Sequence, residues 1–318
     1  MDTRNDRDGV LQHIAAELEQ PVMDSAKAAA QDIANGHGST VAAVLFYGSC
    51  LQQQSVEDKV LDFYVLVDNC VEANGSNILG LLNVMMPPNV FYRELDLDGR
   101  IIRSKYAVMS TKGFENAMQP GHFNPSFWAR FAQPCALAYC RDNETRVSVK
   151  RAVSQAVITF VGAVLPTFLR DVTSQSMWSK GFQLTYKAEL RAENASVRGA
   201  EIYSQNAERY DALMLPALSS AGLQLKADDS GRRFPVTTNT KRRWAVILWK
   251  VRSIQGKMLS FLRLIKGAFT FTGAIDYLAW KIGRHSGVTL DIKPWHRRFP
   301  IIGGLSLFVQ TRFRGGFR

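Results

Sequence analysis

Two short stretches carry the residue types suited to chemistry on phosphates. VLFYGSC ends an apolar run in Gly48-Ser49, and KVLDFYVLVD carries Asp62 inside a second run and Asp68 at its end. Gly48 lets the backbone approach a triphosphate closely, and Ser49 can donate a hydrogen bond to it. A strand carboxylate such as Asp62 can hold Mg²⁺, which neutralises charge on the α-phosphate and the leaving pyrophosphate. These are the parts that phosphoryl or nucleotidyl transfer needs. Side chains alternate along a strand, so Asp62, Tyr64 and Leu66 share one face. Tyr64 stands where an Asp-x-Asp metal pair would place its second carboxylate. Glu94, Asp96 and Asp98 alternate onto one face of the next strand. One of them, with Glu94 the first choice, completes the metal site, or all three are ordinary hairpin charges. Lys105 is either a point charge for a phosphate oxygen or a solvated surface lysine.

The elements that must position these residues read as an α+β arrangement. Residues 9–34 carry helical periodicity, and GHGS (36–39) breaks it. Val41–Tyr47 and Val60–Val67 are apolar runs of strand length. Residues 76–85 suggest a helix. Val90–Leu97 and Ile101–Met109 read as strands joined by a turn at Asp98-Gly99. From 126 onward the chain reads as mostly helical, over 146–170, 198–222 and 243–285, with 226–241 as a linker. The expected organisation is a sheet domain over 1–125, a helical domain over 126–240 that completes the cleft, and a basic amphipathic tail over 241–318.

Of the residues, 46% are hydrophobic and 21% charged, which excludes the disordered class. The net charge of +11 is uneven. Residues 241–318 hold sixteen Lys/Arg and two acidic residues, leaving 23 basic and 26 acidic residues in 1–240. Formal charges of +14 and −3 follow, so the tail asks for an anionic partner, phospholipid headgroups or nucleic acid. Cys50, Cys70, Cys135 and Cys140 form no CxxC pair, and reduced, partly buried thiols are expected. The polar, acidic N-terminus reads as neither a secretory signal nor a transit peptide.

Within the tail, Trp244, Leu248, Val251, Met258, Leu262, Ile265 and Phe269 fall on one helical stripe, and Lys250, Arg252, Lys257 and Arg263 fall largely off it. This pattern fits an interfacial helix on anionic lipid, with Trp249, Trp280 and Trp295 as further anchors, or a core helix with a basic outer face. The longest uncharged run of the tail, 299–311, is too short to span a bilayer.

FYGSCLQQ, VLDFYVLVDN, DGRIIRSKYAVMS, LTYKAELRAE and VRGAEIYSQNAERYDALMLPAL, in that order, resemble the mitochondrial translocator-maintenance family. Its members are CTP:phosphatidate cytidylyltransferases, which make CDP-diacylglycerol on a polymerase-β-like nucleotidyltransferase fold. The family pattern runs YGSGVFxQ, a strand with a single Asp, DGRxIKYGV, LSYxGDxR and a glutamate-bearing helix. The KVRSIQGK…KIGRHS segment is similar to its tail, so the likeness spans roughly 40–285. The resemblance implies that Gly48 and Ser49 cradle the CTP phosphates and that Asp62 is the main Mg²⁺ ligand. It implies that Lys105 and Tyr106 line the nucleotide pocket, that Glu189 stands for the family's Asp and Arg191 for its Arg, and that Glu201 matches the later glutamate. Ala188 replaces a family Gly. The family's Trp-His, Asn-Leu and His-Tyr-Ser signals have no counterpart beyond Asn77 and Asn83.

The expected activity is Mg²⁺-dependent transfer of CMP from CTP to phosphatidate by a peripheral protein on the cytoplasmic side of an anionic membrane. DNA is not an expected partner. Two alternatives stand: a nucleotidyltransferase acting on RNA or another small or lipid phosphate, and a non-catalytic membrane-bound module of the same fold.

Overall fold

The computed structural model describes residues 3–53, 59–74, 87–169, 171–191, 193–270, 275, 291–298, 302–303, 306–307 and 309–310. The expected helix over 76–85, with Asn77 and Asn83, lies outside them. So do Trp280, the last residues of the chain and much of 299–311. The architecture is α+β, and the chain divides into two compact units. One comprises 22–110 and 262–318. The other comprises 1–21 and 111–261.

The first unit is built on four strands: β1 (Val41–Tyr47), β2 (Val60–Val67), β3 (Asn89–Leu97) and β4 (Arg100–Ser110). Their order is β3-β4-β2-β1. β1 runs antiparallel to β2 and β3 antiparallel to β4, while β2 and β4 are parallel. β1 and β2 cover the ranges expected from sequence, because their apolar runs are bounded by residues that cannot continue a strand cheaply. At the β3–β4 hairpin, Asp98 and Gly99 take φ of 53° and 80°. Positive φ at both central residues is the two-residue turn whose twist matches its flanking strands. The helix Asp24–His37 lays Ala26, Ala29, Ala30, Ile33 and Ala34 on the sheet. That i, i+3, i+4, i+7, i+8 stripe of mostly small residues lets the backbone approach closely.

The second unit is mostly helical. Its central helix, Asn143–Val164, is capped by Asp142, which accepts from Thr145 N–H at 2.7 Å and has its pKa held down at about 2. Over Asn143–Thr167 this segment is long and apolar enough to cross a membrane, but 61% of its apolar window is buried inside the protein. Phe160 from this helix stacks on Trp178 at 5.0 Å, and Trp178 Nε1 donates to Tyr210 O at 2.9 Å. Glu17 and Arg209 form a nearly buried ion pair, and Arg209 also donates to Ala132 O at 2.9 Å.

Three elements of this unit differ from expectation. Cys135–Cys140 forms strand β5, a short apolar run in a stretch read as helical. The single helix expected over 198–222 breaks at Asn206 into Ala195–Gln205 and Ala207–Ser220. Within the presumed linker, β6 (Leu225–Ala227) and β7 (Arg233–Pro235) pair as a hairpin. Its turn is closed by Asp228, whose carboxylate accepts from Ser230 and Arg232 N–H at 3.0 Å each. The cysteines are free thiols, three of them buried.

Candidate functional site

β1 and β2 deliver Gly48 and Asp62 to the same place, because Tyr47 pairs with Asp62 in the antiparallel register. Gly48 takes φ +89°, a left-handed conformation that favours glycine. A Cβ there would stand 3.3 Å from Asp62 Oδ2. The backbone at Gly48 thus lies directly against the Asp62 carboxylate, which leaves the next residue, Ser49, exposed at the start of a short helix (Ser49–Gln53).

The parallel register then sets Lys105 of β4 beside Asp62, and Tyr92 of β3 beside Lys105. Paired residues of neighbouring strands point to the same face, about 4.8 Å apart. One row therefore reads Tyr47, Asp62, Lys105, Tyr92. Asp62 and Lys105 are half-buried, within reach of solvent. The neighbouring row carries Glu94 and Arg103, which pair at 3.2 Å. Tyr92 donates its hydroxyl to Glu94 Oε1 at 2.7 Å, and burial first, then the Glu94 carboxylate, pushes the Tyr92 pKa up. Neither tyrosine nor Arg103 stood out in the sequence, since their place on the face that carries Asp62 follows from strand register.

Tyr106 falls on the opposite face. There it lies in the row Phe46, Phe63, Tyr106, Phe91, under the helix Asp24–His37. It stacks on Phe91 at 5.3 Å, and burial pushes its pKa up to about 12. His37 Nδ1 donates to Ala73 O at 2.6 Å, since a carbonyl only accepts, so the neutral ring's Nε2 accepts from Tyr106 Oη at 3.1 Å. Strand alternation thus parts the expected pocket pair: Lys105 shares a face with Asp62, and Tyr106 is core.

A Mg²⁺ ion is commonly held by one or two carboxylates plus substrate phosphate oxygens. Asp62 suits that role. Glu94, the second expected ligand, spends its carboxylate on Arg103 and Tyr92. Among the described residues no group of three or more His, Cys, Asp or Glu side chains is placed to hold a metal. Asp96 caps the hairpin turn by accepting from Gly99 N–H at 2.8 Å.

The remaining expected nucleotide ligands, Glu189 and Arg191, belong to the other unit. They pair with each other at 2.6 Å, with Arg191 over the Tyr186 ring at 4.2 Å. Glu201 pairs with Arg198 at 3.1 Å.

The tail helix runs from Asn239 to Thr270. It docks through an unexpected side. Trp249 is buried, not an outward anchor, with Nε1 donating to Ala163 O at 3.0 Å. Arg252 also turns inward and donates to Phe123 O at 3.2 Å. Gly256 is buried against the Ala188 carbonyl, where any side chain would collide. The apolar stripe is left in solvent: Trp244, Leu248, Val251, Met258 and Leu262 are exposed, as are Ile247, Ile254 and Phe261, with Ile254 at 70% and Trp244 at 61%. Lys250 and Lys257 are exposed beside it. Arg263 is half-buried, the Ile265 and Phe269 side chains lie outside the described residues, and Trp295 is exposed. Ordinary amphipathic packing hides the apolar face, and here the small and bulky inward residues Gly256 and Trp249 fix the opposite orientation.

No protein-family model matches the chain, and no curated protein matches it.

Proposed function

We propose that this protein is a Mg²⁺-dependent nucleotidyltransferase that works at a membrane surface, with CTP as nucleotide and phosphatidate or a related lipid phosphate as acceptor. The observation that carries the reading is the row Asp62–Lys105 beside the left-handed Gly48, with Ser49 exposed next to it. A triphosphate laid over Gly48 would meet the Ser49 hydroxyl, and the Lys105 ammonium would offset phosphate charge. Asp62 would hold the metal, which supplies neutralisation of the α-phosphate and the leaving pyrophosphate. A phosphate monoester is already anionic near neutral pH, so it needs no general base to attack in line. Positioning and charge neutralisation would then do the catalysis. The choice of CTP and phosphatidate rests on the sequence resemblance.

The membrane part of the proposal rests on the exposed stripe of the 239–270 helix. An apolar face of this size flanked by lysines suits the headgroup–acyl boundary of an anionic bilayer. Pyrophosphate release tests the reading, measured with Mg²⁺ and each of CTP, ATP, GTP and UTP, with and without phosphatidate vesicles. CTP-selective release that needs phosphatidate is the expected result. Release with another nucleotide or acceptor would replace the substrate, and no release from folded protein would make the chain a non-catalytic module.

A further inference from the structure

The helical unit holds a cavity of about 820 Å³, within the range of small-molecule sites. Its walls come from the end of the 143–164 helix, the turn after Ser220, the segment 235–237 and the 239–270 helix. Ile158, Leu165, Leu223 and Leu248 give it an apolar lining, with Trp244 beside them. Two cations, Lys241 and Arg252, complete the wall, and among the described residues no acidic side chain lines it.

Arg252 is the informative residue. Its guanidinium lies over the Trp249 ring at 5.2 Å and the Trp128 ring at 5.9 Å, and Nε donates to a backbone carbonyl. Burial lowers its pKa, and among the described residues no carboxylate offsets the cost. A partly buried cation without a counter-charge is expensive, and an anion delivered by a ligand relieves it. The aliphatic lining prefers hydrocarbon. Lys241 lies eleven residues away on the same helix, roughly 16 Å along its axis at 1.5 Å per residue, so one head group cannot reach both.

We propose that this cavity binds the aliphatic chain of a single amphiphile, whose anionic head pairs with Arg252. The assignment concerns the helical unit alone and stands whether or not the chain transfers nucleotides.

The test is titration of the full-length protein with dodecyl phosphate, dodecyltrimethylammonium and inorganic phosphate. Concentrations stay below micelle formation, and the readouts are calorimetry and tryptophan fluorescence. Dodecyl phosphate should saturate one site at least tenfold more tightly than the cation of equal chain length, and inorganic phosphate should not bind. Arg252→Gln should remove the head-group preference, whereas Lys241→Gln should leave affinity within about twofold. Ala163→Phe, which puts a phenyl ring into the cavity, should weaken binding at least tenfold, and Ile254→Asn on the exposed stripe should leave it unchanged. Equal affinity of wild type for the two amphiphiles overturns the proposal without any variant. So does undiminished binding by folded Ala163→Phe, or no binding by folded wild type.

Discussion

On the helix-covered face of the sheet, Phe46 and Phe63 pack at 5.2 Å, Tyr106 stacks on Phe91, and Arg93 holds Asp32 at 2.9 Å. On the other face the same four strands present Tyr47, Asp62, Lys105 and Tyr92. Each residue of the second row is the chain neighbour of one in the first: Asp62 precedes Phe63, and Lys105 precedes Tyr106. A single step along a strand therefore separates a side chain buried in the core from one on the opposite face, within reach of solvent. Substitutions on the two rows should fail in different ways.

The largest effect expected is on turnover. Asp62→Ala should lower the rate of nucleotidyl transfer by about 10³-fold or more, equivalent to roughly 4 kcal/mol, with the melting temperature little changed. Steady-state kinetics alongside thermal melting checks this, and a parallel loss of stability would move Asp62 to the structural row. Phe63→Ala should show the reverse. It should cost about 3–5 kcal/mol in denaturant unfolding, as large-to-small core changes do.

Gly48→Ala sits between the rows. It forces a side chain into φ +89° beside the Asp62 carboxylate, so it should cost about 1–2 kcal/mol of stability and reduce turnover roughly tenfold or more. Turnover and stability both at wild-type levels would remove the close approach from the argument. Ile254→Asn should weaken binding to anionic vesicles severalfold while leaving melting unchanged, as flotation assays would show.

The smallest effect is a pH dependence of the covered face. Burial is the main cause of the lowered His37 pKa. The unfolded chain then binds the proton more readily than the folded one, so this stability is fully present above the ordinary value of about 6.5. It is lost as pH falls from there through the folded value. His13 in the helical unit shifts the same way, also chiefly through burial. Denaturation midpoints should therefore fall below about pH 6.5, and His37→Gln should flatten part of that slope. An unchanged slope in that variant would detach His37 from the effect.

Much of the sheet was legible in the sequence, since apolar runs and turn residues carry β1, β2 and the β3–β4 hairpin without help from distant parts. Gly48 and Asp62 were legible for the same reason, as one ends an apolar run and the other interrupts the run that pairs with it. Strand register was not legible, and it alone decides that Lys105 joins Asp62 while Tyr106 goes to the core. The orientation of the tail helix was equally hidden. Periodicity located its apolar stripe, but whether that stripe meets core or solvent depends on what docks behind it, here Trp249 and Gly256. The β6–β7 hairpin hid in a polar stretch because side-chain bonds to Asp228 replace apolar burial there.

The most direct measurement follows label from α-³²P-CTP into lipid-extractable product, using phosphatidate vesicles, Mg²⁺ and either wild type or Asp62→Ala. Label in the lipid phase with wild type, lost in a variant that melts like wild type, is the predicted result. Equal labelling by both proteins, or none from folded wild type, would contradict it.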